Sequence, residues 1–127
     1  MVGFVIVSHS AKLAEGVVDL ARMMAKEVPI AAAGGLEDGG FGTSFEKIQR
    51  AVEQVYSDDG VILLMDMGSA VMTAEMVLES MEDKKLHMAD CPIVEGAVSG
   101  TLSAEAGSTL EEILDELAET GTTKKLS

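Results

Sequence analysis

Val61-Ile62-Leu63-Leu64-Met65-Asp66-Met67-Gly68-Ser69 is the strongest strand signal in the chain, with a polar end that leads into a helix. Its continuous apolar run follows the turn Ser57-Asp58-Asp59-Gly60 and predicts a central strand buried on both faces, as in parallel sheets. The run ends at Asp66, and Val71, Ala74, Leu78 and Met81 then recur at helical spacing.

The same strand–helix alternation extends in both directions. Gly3-Phe4-Val5-Ile6-Val7 predicts a first strand, interrupted by Ser8-His9-Ser10. Ser10 is a suitable N-cap for a helix in which Ala11, Ala14, Val17/Val18, Ala21 and Met24/Ala25 recur at helical spacing. Pro29 ends that helix, and residues Pro29 to Ala33 read as a short second strand. Gly34 to Ser44 holds five glycines in eleven residues and is a loop. Phe45, Ile48, Val52 and Val55 mark an amphipathic second helix. After the third helix, Lys84 to Ala89 predicts a fourth strand, and Cys91-Pro92 opens a fourth helix with Pro92 at its first position. Val94, Ala97, Val98, Thr101 and Leu102 are its expected buried stripe. Ser108 and Glu111 form a capping box ahead of a last helix through Leu110, Ile113, Leu114 and Leu117, with a frayed tail from about Gly121.

This order predicts an α/β fold: an open, mainly parallel four-stranded sheet, order 2-1-3-4, with helices on both faces. Residues 1–127 are expected to make one domain. The winding direction reverses between strands 1 and 3, and in such sheets sites form at that point, beyond the carboxyl ends of the strands.

Twenty-two Asp and Glu against nine Lys and Arg leave a net charge of −13 and a pI near 4.3. Such a surface repels polyanions, which argues against nucleic acid and anionic membrane as partners and favours partners with a basic face. No apolar run approaches a bilayer span, the opening residues lack a secretory signal pattern, and a lone Cys91 can form neither an internal disulfide nor a cysteine-cluster metal site; a cytoplasmic protein is expected.

The topology brings His9, just past strand 1, and Asp66, just past strand 3, to the mouth of one crevice. A carboxylate that accepts from one imidazole nitrogen fixes the tautomer and leaves the other nitrogen nucleophilic. Helices opening near Ser10 and Ser69 aim backbone N–H groups at the same space, a ready phosphate cradle. These features predict attack by His9 on a phosphoryl donor through Nε2, with Asp66 orienting the ring and Gly42, Thr43, Gly68 and Ser69 near the phosphate. The glycine loop either closes over the crevice, with Gly39, Gly40 and Ser44 also close by, or is a mobile loop. It is no dinucleotide fingerprint, since Phe45 stands where the third glycine belongs, and the chain has no P-loop. Two separated histidines without a ligand cluster argue against a metal site. His87 is expected to serve structure, Cys91 to be a small buried hydrophobe, and Met23, Met24, Met65, Met72, Met76 and Met81 to fill the core; Met67 is a candidate wall of the site.

Val5-Ile6-Val7-Ser8-His9-Ser10, Gly39-Gly40-Phe41-Gly42-Thr43-Ser44, Leu63-Leu64-Met65-Asp66-Met67-Gly68-Ser69 and Pro92-Ile93-Val94-Glu95-Gly96-Ala97-Val98 together resemble one family. It is the phosphotransferase subunit of the dihydroxyacetone kinase that depends on the phosphotransferase system (PTS), itself similar to the IIA domain of mannose-type sugar transporters. The resemblance implies a phosphoryl relay. The phosphocarrier protein HPr, charged by enzyme I from phosphoenolpyruvate, is the implied donor, and His9 the implied carrier. The implied acceptor is ADP in the nucleotide-binding kinase subunit, so that ADP/ATP and Mg belong to the partner and no cofactor to this chain. It further implies a homodimer, and an HPr donor that is a separate protein. A sugar-specific mannose-type IIA domain that passes its phosphoryl group to a IIB domain has the same chemistry at His9, whereas a non-catalytic domain of this fold has a structural His9.

Overall fold

A computed structural model describes residues 1–126. Nine elements follow one another: β1 (Gly3–Ser8), α1 (Ala11–Met24), β2 (Ile30–Gly34), α2 (Phe45–Val55), β3 (Val61–Met65), α3 (Ser69–Ser80), β4 (Leu86–Met88), α4 (Ile93–Glu105) and α5 (Leu110–Thr120). All pairings are parallel and the strand order is β2-β1-β3-β4, as the alternating pattern requires.

The two interior strands are apolar on both faces because each face carries its own helical layer. Phe4, Ile6, Ile62 and Leu64 point into one core with α1, α4 and α5. Val5, Val7, Val61 and Leu63 point into the other with α2 and α3. Each of these side chains is fully buried, worth about 1.5–3 kcal/mol for the larger aliphatic ones. The register pairs Val7 with Met65 and Ser8 with Gly34, and the Asp66 N–H extends the ladder to the Val7 carbonyl at 3.1 Å. The ends of β1, β2 and β3 are thereby level, which sets where the site is built.

Several sequence expectations shift. β4 is shorter than Lys84–Ala89, because the Leu86 N–H turns back to the Lys84 carbonyl; single ladder bonds from Val61 N–H to Lys85 and from Ala89 N–H to Leu63 mark where the longer strand would have run. Pro92 is the N-cap of α4 rather than its first residue: its ψ is extended at 135° while its carbonyl accepts the Gly96 N–H at 2.8 Å. The buried stripe of α4 is Gly96, Ala97, Gly100, Thr101 and Ala104, and Val94 and Leu102 are exposed. Small residues face inward because α4 lies close to the sheet: a Cβ on Gly100 would come within 2.9 Å of the Phe4 ring.

The capping box of α5 is Thr109 with Glu112, one residue later than expected. Ser108 is already committed, since its N–H bonds the Ser103 carbonyl while Gly107, at φ +96°, bonds Ala104 and closes α4 in a left-handed C-terminal turn. Beyond Gly121, Thr122 and Thr123 bond the Glu119 carbonyl, and Lys125 pairs with Glu95. The methionines correct the reading most: Met81 is buried and Met65 half-buried, but Met23, Met24, Met72 and Met76 are exposed. Helical spacing assigned them to elements without saying which face each one takes.

Candidate functional site

The strand ends bring His9 and Asp66 together. The Asp66 carboxylate accepts four hydrogen bonds. Oδ2 takes the Ser8 hydroxyl at 2.8 Å and the His9 backbone N–H at 2.9 Å. Oδ1 takes the Met67 N–H at 2.7 Å and faces His9 Nδ1 at 3.0 Å. Burial pushes this carboxyl up, yet the donors from His9, Ser8 and Met67 outweigh it and hold the group below the ordinary carboxylate range. An ionised carboxylate only accepts, so Nδ1 carries a proton, and in the neutral imidazole the lone pair is on Nε2. That nitrogen lies 2.8 Å from the Ser69 hydroxyl, which donates to it in that tautomer. The His9 side chain keeps 27% of its surface open and Asp66 16%, so the ring is held but reachable.

Ser8 is a support that the sequence reading quoted without assigning a role. Its side chain is fully buried at the end of β1, and its hydroxyl accepts the Ser10 N–H at 3.0 Å while donating to Asp66. Ser10 caps α1 by accepting the Leu13 N–H at 3.2 Å. α3 starts differently. Gly68, at φ +48°, is its N-cap, and no side chain caps the helix. The N–H groups of Gly68 and Ser69 have no acceptor among the described residues, which leaves the positive end of α3 open beside Nε2.

The glycine loop is tied down. The Gly42 N–H donates to the His9 carbonyl at 2.9 Å, so it holds the histidine and is not free for an anion. Thr43 Oγ1 meets Thr73 Oγ1 on α3 at 2.9 Å. Lys47 reaches the Gly34 carbonyl at 3.0 Å, and Arg50 pairs with Glu37 at 2.6 Å. Gly39 and Gly40 lie exposed at the outer turn, and Ser44 caps α2. Gly42 and Ser69 thus bond His9 directly, Gly68 precedes Ser69, and Thr43 reaches the Ser69 main chain through Thr73.

His87 lies apart, exposed on the edge strand β4. Met67, which follows Asp66, is exposed, as are Met72 and Met76 on α3 and Phe41 on the glycine loop. A cleft of about 370 Å³ opens on the far side of Asp66, between Val71, Met88 and Cys91. Burial, and then the Asp90 charge, push the Cys91 thiol up to about 11 against a weaker pull from Thr120. A larger cavity of about 420 Å³ lies at the opposite end of the sheet against Met1, Lys85 and Glu111, far from any candidate residue.

The site is a histidine held by an ionised carboxylate, and comparison with known proteins gives its family. The model of the EIIA-man family, described as the PTS system fructose IIA component, matches residues 3–114. The chain belongs to this family. An EIIA-man member is a component of a phosphotransferase, so phosphoryl transfer is the chemistry of this chain. The chain is 42% identical, over 91% of its length and 92% of the relative's, to the PTS-dependent dihydroxyacetone kinase phosphotransferase subunit DhaM of Lactococcus lactis. It is 40% identical to the PEP-dependent dihydroxyacetone kinase phosphoryl donor subunit DhaM of Escherichia coli, covering 90% of this chain but only 26% of that protein. Among solved structures, a protein of unknown function superposes with a TM-score of 0.87 at 28% identity, covering 99% of this chain and 98% of that one. The phosphotransferase system component EIIA of Streptococcus agalactiae shares the fold, with a TM-score of 0.71 at 16% identity over 96% of this EIIA-man chain and 93% of its own.

Proposed function

We propose that this EIIA-man chain is a phosphohistidine carrier: His9 accepts a phosphoryl group from HPr and passes it to ADP held in the nucleotide-binding subunit of a dihydroxyacetone kinase. The observation that carries the reading is the pairing of an ionised, four-times-donated Asp66 with Nδ1, which leaves Nε2 to the Ser69 hydroxyl at the start of α3.

In the first step the Nε2 lone pair attacks phosphorus. A new N–P bond forms as the bond from phosphorus to the donor's nitrogen breaks, and that nitrogen keeps the electron pair. The Nδ1 proton stays against Asp66, which balances the positive charge that the ring gains. The Ser69 hydroxyl leaves the lone pair and turns to a phosphoryl oxygen. The open N–H groups of Gly68 and Ser69 at the start of α3 offset the negative charge. In the second step a β-phosphate oxygen of ADP attacks the same phosphorus, the N–P bond breaks, and the electron pair returns to Nε2. Gly42 and Thr43 act by holding the loop against His9.

In this reading residues 1–127 work as one cytoplasmic domain, paired as a homodimer, and ADP/ATP with Mg stay on the partner subunit. The acidic surface suits donor and acceptor proteins that present basic faces. The family's description as a fructose IIA component favours a second reading, in which the acceptor is a sugar-specific IIB domain. The two readings separate when the phosphorylated chain is mixed with the ADP-loaded kinase subunit or with a IIB domain. ATP formation in the first mixture is expected; transfer to IIB alone would overturn the kinase reading.

A further inference from the structure

Thr73 sits on α3 one turn beyond Ser69, at a position the sequence reading left without a role. Its hydroxyl has one proton, and that proton goes to the Ser69 carbonyl at 2.8 Å. Towards Thr43, 2.9 Å away, Thr73 therefore only accepts, and the Thr43 hydroxyl is the donor. Two hydroxyls in series thus run from the glycine loop to the main chain of the residue whose side chain meets His9 Nε2. The bond from Gly42 N–H to the His9 carbonyl completes a circuit from His9 through the loop and α3 back to the ring.

A helical threonine that bonds the carbonyl four residues back is commonplace. The long-range partner is what sets Thr73 apart. Among the described residues, Thr43–Thr73 is the one hydrogen bond between the loop and α3, since the loop's other ties run to α2, to Ser8 and His9 or within the loop itself. α3 has no side-chain cap, and Met72 and Met76 beside Thr73 are exposed, so beyond the packing of Ala70 and Ala74 the Thr43–Thr73 bond is the polar tie of its first turn to the loop.

We propose that Thr73 is a positioning residue for phosphoryl transfer: it accepts from Thr43, fixes the Ser69 main chain, and so holds the Ser69 hydroxyl and the open start of α3 against Nε2. This rests on the reading of His9 as the carrier. The expected consequence is on the rate of transfer and not on docking, because Thr73 acts through the loop and Ser69.

The test compares wild type, Thr73→Val and Thr73→Ser in phosphorylation by phosphoenolpyruvate, enzyme I and HPr. Melting curves verify that each variant is folded, and ring nitrogen NMR reports the His9 tautomer. Thr73→Val keeps the branched shape and loses both hydrogen bonds. It is expected to lower kcat about tenfold or more with KM for HPr unchanged within about twofold, since small misplacements of positioned groups are costly. The His9 tautomer is expected to stay as in wild type, because Asp66 sets it, and Thr73→Ser is expected to recover most of the rate. A folded Thr73→Val with wild-type kcat, or a loss that Thr73→Ser does not recover, overturns the role of Thr73 and leaves the carrier reading intact. A wild-type chain that takes no phosphoryl group overturns the carrier reading and this role with it.

Discussion

Asp66 grips His9 at two points, with Oδ2 on the backbone N–H at 2.9 Å and Oδ1 on Nδ1 at 3.0 Å. Because β1 and β3 end level, one carboxylate fixes both where the histidine sits and which of its nitrogens bears the proton. Asp66→Asn keeps the size of the group but removes its charge and one acceptor. Phosphoryl transfer through His9 is expected to slow by about 10- to 100-fold, the usual cost of losing an orienting partner, with the fold retained. Rapid-quench phosphorylation measures this; a wild-type rate in Asp66→Asn would remove the carboxylate from the mechanism.

The same hydrogen bonds make stability depend on acid. The folded Asp66 has a lowered pKa, its donors having overcome burial, so the unfolded chain binds the proton more readily. Its contribution is complete above the ordinary value of 3.8 and is lost as pH falls through the lower folded value. Urea unfolding of wild type and Asp66→Asn is expected to show a stability gap that is constant from about pH 5 to 7 and shrinks below about pH 4. A gap that widens in acid would contradict the assignment.

α4 and α1 give opposite expectations for the same substitution. Gly100→Ala places a Cβ 2.9 Å from Phe4 Cε2 in a buried contact, and is expected to destabilise by about 1–3 kcal/mol. Gly16→Ala, on the exposed face of α1, meets nothing within 4 Å and is expected to stabilise by about 0.5–1 kcal/mol. Denaturant midpoints of the two variants decide; equal signs would mean that α4 packs differently.

Cys91 should be chemically quiet. With its thiol pushed up to about 11 by burial and then by Asp90, little thiolate exists at pH 8. Alkylation by iodoacetamide is expected to run roughly a hundredfold slower in the folded chain than in the urea-unfolded one. Equal rates would place the thiol in water.

The sheet was legible because β1 and β3 are apolar on both faces, a pattern that only a strand between two helical layers satisfies. That order, together with the switch-point rule, also placed His9 beside Asp66. What stayed hidden depends on tertiary contact. Ser108 and Thr109 both begin a Ser/Thr-x-x-Glu pattern, and only the C-terminal turn of α4, which uses Ser108, selects Thr109 as the cap. In α4 the apolar bulk of Val94 and Leu102 pointed to the wrong face, because the sheet demands small residues there. Thr73 carries no sequence signal beyond its place one turn after Ser69; its partner Thr43 is 30 residues away and meets it only once the loop is tied to the His9 carbonyl.

His9 is expected to carry its phosphoryl group on one nitrogen of the ring. Incubation with phosphoenolpyruvate, enzyme I and HPr, followed by phosphorus and ring-nitrogen NMR, reads it directly. A single phosphoramidate at Nε2 of His9 is expected, absent from His9→Ala. A phosphoryl group on Nδ1, on His87, or undiminished in His9→Ala would contradict it.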